Sequence, residues 1–181
     1  NMADNAPVMI WLNNEEGLVT YLNKQWFEFT GQPNELAFNE GWVDPVHPDD
    51  VEKVRLVYEQ ALQDHTSFEV DYRLRRNDGV YRWMVTNAAP RFDAAGKFMG
   101  YIGSVIDITE RKEAEQKIKE NAALLQKIFQ EVPALVALIR ASDQTYIFAN
   151  PFYRKMLGNQ VLPGKSVREA HPDLEGPGLF E

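Results

Sequence analysis

The sequence predicts an α+β fold: an antiparallel β-sheet covered on one face by short helices, followed by a connector helix. Three observations support this fold class. Residues 68–75 alternate strictly between apolar and polar side chains, as in a strand with one buried face. Two further strand patterns follow after short turns, which favours an antiparallel arrangement. Finally, a segment from the start of the chain returns near its end, which indicates a duplicated structural unit.

The duplication defines the expected domain organisation. Residues 7–50 and 133–174 share motifs at nearly constant offsets of 126, 127, 127 and 124 (133−7, 150−23, 158−31 and 171−47). The matching pairs are Pro7 and Pro133, Asn23 and Asn150, Gly31 and Gly158, and His47 and His171. We therefore predict a complete module over 1–108, a connector helix over 109–131, and the N-terminal part of a second module over 132–181. The sequence is expected to be a piece of a longer tandem array.

The complete module is predicted to begin with a hairpin and a short helix. The apolar runs Val8–Leu12 and Leu18–Leu22 predict two strands joined by the turn Asn13–Gly17. Asn23 is suited to cap the helix Lys24–Phe29, because a side-chain oxygen at that position can accept a hydrogen bond from a free helical amide.

The longest helix of this module follows a proline-rich stretch. Asp49 or Asp50 can cap it, and the helical pattern continues to about Gln63. Apolar residues recur at a spacing of three and four, which predicts one buried stripe. These residues are Val51, Val54, Val57, Tyr58, Ala61 and Leu62.

Three strands are expected to complete the module. Phe68–Arg75 leads through the hairpin turn Asn77–Gly79 into Tyr81–Arg91, which is expected to end at its proline and the turn that follows. Lys97–Ile108 forms the last strand. Its two glycines, spaced three residues apart, predict positions where a neighbouring backbone comes close.

Five short motifs occur in order over about 100 residues. They are His47–Asp50, Tyr72–Arg75 with Asp78-Gly79, Tyr81–Trp83, Gly100–Gly103 and Asp107–Arg111. In this order they resemble the PAS domain, in the subtype with a C-terminal PAC motif, and residues 133–181 resemble the first half of another. The resemblance implies a five-stranded antiparallel sheet in the order 2-1-5-4-3. The family senses signals and assembles dimers, usually ahead of a histidine kinase, a cyclic-dinucleotide enzyme or a transcription factor.

The connector is expected to carry the signal. Asp107 can cap a helix that starts near Thr109, with Glu110 in capping-box position, and no proline or glycine follows before Glu131. Asp107 and Thr109 are our candidate coupling residues, because they join the last strand directly to this helix. The alternative, that they only cap the helix, stays open.

An apolar stripe on the connector is our candidate dimer interface. Its positions approach a heptad spacing, which favours a parallel coiled coil in a homodimer. The stripe consists of Ile118, Ala122, Leu125 and Phe129. Packing of the same helix on its own domain is the alternative, since two heptads are too few to decide.

No cofactor is predicted. The chain has no cysteine, so it cannot form the photoadduct of flavin-binding relatives, and Met84 and Val105 stand where those sensors have flavin-binding amides. The candidate haem ligands are His47 and His65, and both suit helix ends better. The aromatic side chains are expected to build the core. A cavity among them that binds a small metabolite is the alternative. They are Trp11, Trp26, Phe27, Phe29, Trp42 and Trp83.

The predicted function is that of a sensory or signal-transduction module of a larger regulator, in a two-component system with an output domain such as a histidine kinase. A ligand-free interaction and dimerisation module, or the input domain of a cyclic-dinucleotide enzyme, is the alternative. No catalytic or metal-binding constellation is recognisable, so this stretch is expected not to be an enzyme. The net charge of −8 argues against nucleic acid as a partner, and no membrane segment is visible. A cytoplasmic location is expected.

Overall fold

The computed structural model describes residues 2–157 and 163–172, so Gly158 and Asp173 of the repeated motifs lie outside the described residues. The structure divides into two units, Asn1–Ala114 and Glu115–Glu181. The proposed module boundaries at residues 108 and 131 stay a prediction. Among the described residues, no helix has the length and apolar character needed to cross a membrane.

The first unit contains the five expected strands and three helices. The strands are β1 (Met9–Asn13), β2 (Val19–Leu22), β3 (Phe68–Arg75), β4 (Tyr81–Phe92) and β5 (Phe98–Asp107). The helices are α1 (Lys24–Thr30), α2 (Asn34–Ala37) and α3 (Pro48–Asp64), with 3₁₀ turns at Met2–Asn5 and Gly41–Val43. Helix α4 (Thr109–Glu131) starts in this unit and continues into the second.

The strands form one antiparallel sheet in the order β2-β1-β5-β4-β3, which confirms the expected topology. The alternation along β3 is also confirmed. Val70, Tyr72 and Leu74 are buried on the face that α3 covers, whereas Glu69 is exposed. Strand β4 continues through Pro90 to Phe92, with a register irregularity between these two residues where the proline has no amide to donate.

Two glycines of β5 allow the sheet to close tightly. Gly100 has a φ of +94°, and a Cβ atom there would lie 2.3 Å from the carbonyl oxygen of Asn13. A Cβ atom on Gly103 would lie 2.3 Å from the ring of Trp11. The expected close backbone contact is therefore present at Gly100, while at Gly103 the neighbour is an aromatic side chain.

Two of the expected helix caps are wrong. Asn23 occupies the N-cap position of α1 but makes no capping hydrogen bond. Its side-chain amide instead hydrogen-bonds to the backbone of β1 and of the segment before that strand. The cap of α3 is His47, whose Nδ1 accepts a hydrogen bond from the Asp49 amide at 3.2 Å. Asp50 is free of the capping role because its carboxylate binds Arg73 on β3.

The start of α3 covers the free edge of β3. The His47 amide donates to the carbonyl oxygen of Arg73 at 2.9 Å, and the Arg75 amide donates to that of Pro45 at 2.8 Å. Asp50 accepts both the Arg73 amide, at 2.9 Å, and its guanidinium, at 2.8 Å from each of two nitrogens. The Arg73 side chain therefore lowers the pKa of Asp50. Backbone groups on the outer edge of β3 thereby find hydrogen-bond partners within the chain.

The core lies between the sheet and the helices. Trp11 and Trp26 are buried, and three other expected aromatic residues are partly buried against them, as predicted. These three are Phe27, Phe29 and Trp42. Trp83 contradicts the prediction: it alternates with the buried Met84 and lies on the opposite face of the sheet.

The second unit repeats the hairpin but holds a smaller core. Its elements are β6 (Ala137–Arg140), β7 (Thr145–Ala149), α5 (Pro151–Leu157) and α6 (Val167–Ala170). Among its described residues, the buried hydrophobic side chains that form the core are Tyr146, Ala149 and Ala170. Asn150 is fully buried and makes the three contacts seen at Asn23: its oxygen accepts an amide of the preceding segment and its nitrogen donates to two carbonyls. Unlike Asn23, it also caps the following helix, because its oxygen accepts the Tyr153 amide at 2.8 Å.

Candidate functional site

The junction between β5 and α4 is the candidate coupling site. A single residue, Ile108, separates the last strand residue from the first helical residue. Ile108 is buried, and its amide donates to the carbonyl oxygen of Trp83 on β4 at 2.8 Å. The chain therefore enters the helix while still hydrogen-bonded to the sheet, and no glycine or proline loosens the joint.

Thr109 fixes the first helical residue to β4. Its hydroxyl Oγ1 accepts the Trp83 amide at 2.8 Å, and the residue is buried. Thr109 thus continues the ladder between β4 and β5 by one side-chain bond. A rotation of α4 about this point would break that bond, which gives the residue a positional role as well as a local one.

Asp107 joins three parts of the junction. Its Oδ1 accepts the Thr109 amide at 2.9 Å, and its Oδ2 accepts Nε of Arg82 at 2.9 Å. Burial opposes ionisation of this carboxyl, but the hydrogen bonds from Thr109 and Arg82 outweigh it, so the pKa of Asp107 is lowered. The structure thus brings both predicted coupling residues together with β4.

The outer face of the sheet beside this junction carries a cluster of charges around Trp83. The Arg73 guanidinium carbon lies 5.5 Å from the centre of the Trp83 ring, and Nζ of Lys112 lies 5.3 Å from it. Both cations are within the distance at which the π-face of an indole attracts positive charge. This cover explains why Trp83 lies outside the core without being fully exposed.

Asp71 of β3 completes this cluster. Its Oδ1 accepts from Nζ of Lys53 on α3 at 2.8 Å, and its Oδ2 accepts from Nζ of Lys112 on α4 at 2.5 Å. Hydrogen bonds from Lys112 and Lys53 lower the pKa of Asp71 to about 2. Sequence reasoning treated Asp71 as a residue of a solvated strand face and passed over both lysines. Their positions, one near the start of each helix, carry no recognisable motif.

The candidate dimer stripe on α4 is exposed within this chain. Ile118 is 69% and Leu125 52% exposed, and Ala122 is also exposed. Phe129 is 42% exposed, and its ring lies 6.2 Å from that of Phe148 on β7. The first three side chains thus remain accessible, whereas Phe129 also packs within the second unit.

A small cavity lies inside the first unit, with a volume of about 40 Å³. Tyr72 and Thr86 are among its lining residues, and their hydroxyls share a hydrogen bond of 3.0 Å. The lining is otherwise aromatic and aliphatic. It consists of Trp11, Val19, Leu22, Trp26, Trp42, Val54, Tyr58, Phe68, Val70, Tyr72, Thr86 and Val105. This volume accommodates a few water-sized groups, well below that of a typical metabolite site.

The two histidines considered as haem ligands lie elsewhere. His47 caps α3 and its ring lies 4.6 Å from that of Tyr81. His65 stacks on Phe98 at 4.0 Å. Neither side chain is part of the described cavity lining, and each has a local structural partner.

Two family models match the chain. One, described as the PAS fold, matches residues 19–105, and a second, described as a PAS domain, matches residues 123–180. The first match lies within the predicted module over 1–108, and the second includes the C-terminal part of α4 and most of the repeated segment.

Curated relatives and solved structures agree with these matches. The uncharacterised protein y4lL of Sinorhizobium fredii is 43% identical over 64% of this chain, and Sporulation kinase C of Bacillus subtilis is 27% identical over 65%. The chain spans 14% of y4lL and 27% of the kinase, so it covers only a small part of these relatives. The N-terminal domain of a diguanylate cyclase with a PAS/PAC sensor, from Marinobacter aquaeolei, is 25% identical with a TM-score of 0.53, over 58% of this chain and 98% of that one. The chain belongs to the PAS domain family.

Proposed function

We propose that this chain is a sensory relay module that passes a change in its β-sheet through α4 to an output domain, such as a histidine kinase, in a larger protein. The relatives include the Two-component sensor PprA of Pseudomonas aeruginosa, 25% identical over 93% of this chain. The chain spans 19% of that protein, which leaves room there for output domains beyond the matched region. We propose a cytoplasmic module without catalytic residues of its own.

The junction at Asp107 and Thr109 is the observation that carries this proposal. Thr109 is hydrogen-bonded to the Trp83 backbone and Asp107 to Arg82, so the start of α4 is bound to the same strand that lines the cavity through Thr86. A shift of β4 therefore moves the helix start. A flexible linker would absorb such a shift.

The relay is proposed to act in a homodimer. Exposed apolar side chains at Ile118 and Leu125 are spaced seven residues apart on α4. Two such helices side by side would bury these residues against their counterparts, as in a parallel coiled coil. A dimer would then convert a small rotation at each junction into a changed distance or phase at the C-terminal ends of both helices.

A chimaeric kinase tests the relay. This chain replaces the input region of a dimeric histidine kinase, and autophosphorylation is normalised to the amount of folded protein. The double substitution Asp107→Ala with Thr109→Ala should cost roughly 1–2 kcal/mol of stability. It should also change the normalised output.

The second unit offers a matched control. Asp143 accepts the Thr145 amide at 3.2 Å and pairs with Arg140 at 3.1 Å, the same arrangement at a hairpin turn. Asp143→Ala with Thr145→Ala should leave the normalised output closer to that of the unchanged chain. If the output of both double variants merely follows the folded amount, Asp107 and Thr109 are local caps and the relay lies elsewhere.

Small-ligand sensing is the second candidate, supported by the cavity. Its apolar lining and the paired hydroxyls of Tyr72 and Thr86 suit a small, mainly apolar molecule with one polar group. At about 40 Å³ the cavity would have to enlarge for anything bigger. Mass spectrometry of molecules released from freshly purified protein, with an absorbance spectrum, tests this. A released molecule at stoichiometric amount supports ligand sensing, and flavin or haem bands would contradict the absence of both cofactors that we propose.

A further inference from the structure

We propose that Lys112 is a second attachment point of α4, through which Asp71 connects the position of α3 to the direction of the connector helix. The inference rests on the proposed relay function and names residues that regulate it. Asp107 and Thr109 fix where the helix starts. A helix attached at one point can still pivot there, so its direction requires a second contact further along.

Lys112 is placed to supply that contact. It lies three residues after Thr109, almost one helical turn further along. Its Nζ binds Oδ2 of Asp71 at 2.5 Å and lies 5.3 Å from the centre of the Trp83 ring. Its side chain is 32% exposed, so this pair is less screened by solvent than a fully exposed one.

A lysine from α3, which covers the other face of the sheet, also contacts Asp71. It lies on β3, the edge strand, so side chains from both faces can approach it. Lys53 of α3 binds Oδ1 of Asp71 at 2.8 Å and its carbonyl oxygen at 2.7 Å. One carboxylate thus holds a lysine from α3 on one oxygen and a lysine from α4 on the other.

The neighbours of this bridge line the cavity. Val54 follows Lys53, and Val70 and Tyr72 flank Asp71; all three side chains contribute to the cavity wall. A change in cavity volume that moves α3 against β3 would therefore alter the Lys53 contact with Asp71. Because the two lysines share one carboxylate and repel each other, a weaker Lys53 contact strengthens the Lys112 contact.

A second series of contacts also ends at Lys112. Asp50 at the start of α3 binds Arg73, and Arg73 lies over the Trp83 ring. Lys112 lies 5.3 Å from the centre of the same ring. The two series start at different residues of α3 and meet at one residue of α4, which is the geometry expected of a positioning residue.

Hydrogen exchange in the unmodified full chain and four variants tests the proposal: Lys112→Met, Lys53→Met, Asp71→Asn, and Asp71→Asn combined with Lys112→Met. Lys112→Met keeps an unbranched apolar side chain and removes the charge. It should accelerate exchange of the amides at residues 112–114 about two- to fivefold, the range expected for a partly exposed ion pair. Lys53→Met, the matched control on the same carboxylate, should leave these amides unchanged or slow them. In an Asp71→Asn background, Lys112→Met should accelerate exchange less than in the unmodified chain.

Three results would overturn the proposal: unchanged exchange in Lys112→Met, equal acceleration in Lys53→Met, or equal effects of Lys112→Met with and without Asp71. Thermal unfolding of each variant verifies that global stability is matched, so that local loosening is not mistaken for unfolding. The test does not depend on signalling. If Lys112→Met loosens α4 but the output of the chimaeric kinase is unchanged, the attachment stands but takes no part in the relay. Failure of the relay itself is read separately, from the Asp107 and Thr109 variants.

Discussion

The two units of this chain begin with the same hairpin and differ in how that hairpin is completed. Asn23 in the first unit and Asn150 in the second are both fully buried, and each makes three side-chain hydrogen bonds to the segment before it. Asn150 makes a fourth, to the Tyr153 amide of the helix that follows. In the first unit β5 pairs with β1 and closes the sheet. Among the described residues of the second unit, β6 pairs with β7 alone.

The difference separates local from long-range contributions to the fold. On the first hairpin, the paired residues Trp11 and Leu22 are 8% and 6% exposed, whereas the matching pair on the second hairpin is the half-buried Ala137 and the buried Ala149. The buried asparagine shapes each hairpin in the same way, because its partners lie within about 20 residues. The first hairpin presents large side chains that the following strands and helices cover, whereas the second presents alanines to a smaller core.

Replacing the buried asparagine of each unit in turn should give the largest difference in stability between the two units. Asn23→Ala deletes three hydrogen bonds in a closed core and should cost about 2–4 kcal/mol of unfolding free energy. All four tryptophans lie within residues 1–114, so their fluorescence in urea reports on the first unit. Asn150→Ala, the matched control, should leave that midpoint unchanged. A shift as large as that of Asn23→Ala would mean that the units do not unfold independently.

Charges on the connector stripe test whether the later part of α4 associates with a second copy. Ile118→Glu with Leu125→Glu would place like charges in the proposed seam and should weaken the dimer tenfold or more, about 1.4 kcal/mol. Phe129 is left intact because it also contacts Phe148. Light scattering across a dilution series measures the dissociation. Ala123→Glu with Gln130→Glu adds the same charge outside the stripe and should leave the dimer intact; equal mass in both variants would exclude this seam.

Acid should weaken the first unit through carboxylates that are paired in its folded state, such as Asp71. The pKa of Asp71 is lowered to about 2 from an ordinary value of 3.8, so its stabilising contribution is present above pH 4 and is lost as the pH falls towards 2. Asp71→Asn should reduce the loss of unfolding free energy over this pH range by up to about 1 kcal/mol. The effect is limited to this size because the Asp71 side chain is one-third exposed and solvent screens its ion pairs. Urea midpoints between pH 5 and pH 2 measure it. An identical pH profile in the variant would show that these ion pairs contribute nothing.

The smallest effect is expected from removing the part of the second unit that follows α4, residues 132–181. A chain that ends at Glu131 keeps all the core residues of the first unit. The unfolding free energy of this unit, measured by tryptophan fluorescence in urea, should therefore change by less than about 0.5 kcal/mol. Loss of most of the first unit's stability would contradict the view that it is closed by its own strands.

The sequence predicted the sheet well because period-two alternation reports burial directly, as on β3. The sequence did not identify the helix caps correctly, because a motif such as His47–Asp50 offers several side chains that can accept a hydrogen bond from a helical amide. Only the structure shows that Asp50 is engaged by Arg73.

Trp83 was misassigned for a related reason. Both faces of β4 carry apolar side chains near it, and the cations that cover the ring come from β3 and α4. Such long-range partners leave no periodic pattern in the sequence.

The central claim is that α4 transmits a change as a rigid helix attached to the sheet. Insertions between Glu120 and Asn121 in the chimaeric kinase test it most directly. Two inserted residues rotate the following helix by about 200°, whereas seven preserve the heptad phase. We predict that seven inserted helix-forming residues leave the output close to that of the unchanged chimaera and that two abolish or invert it. Equal output from both insertions would show that α4 acts as a tether and would contradict the account.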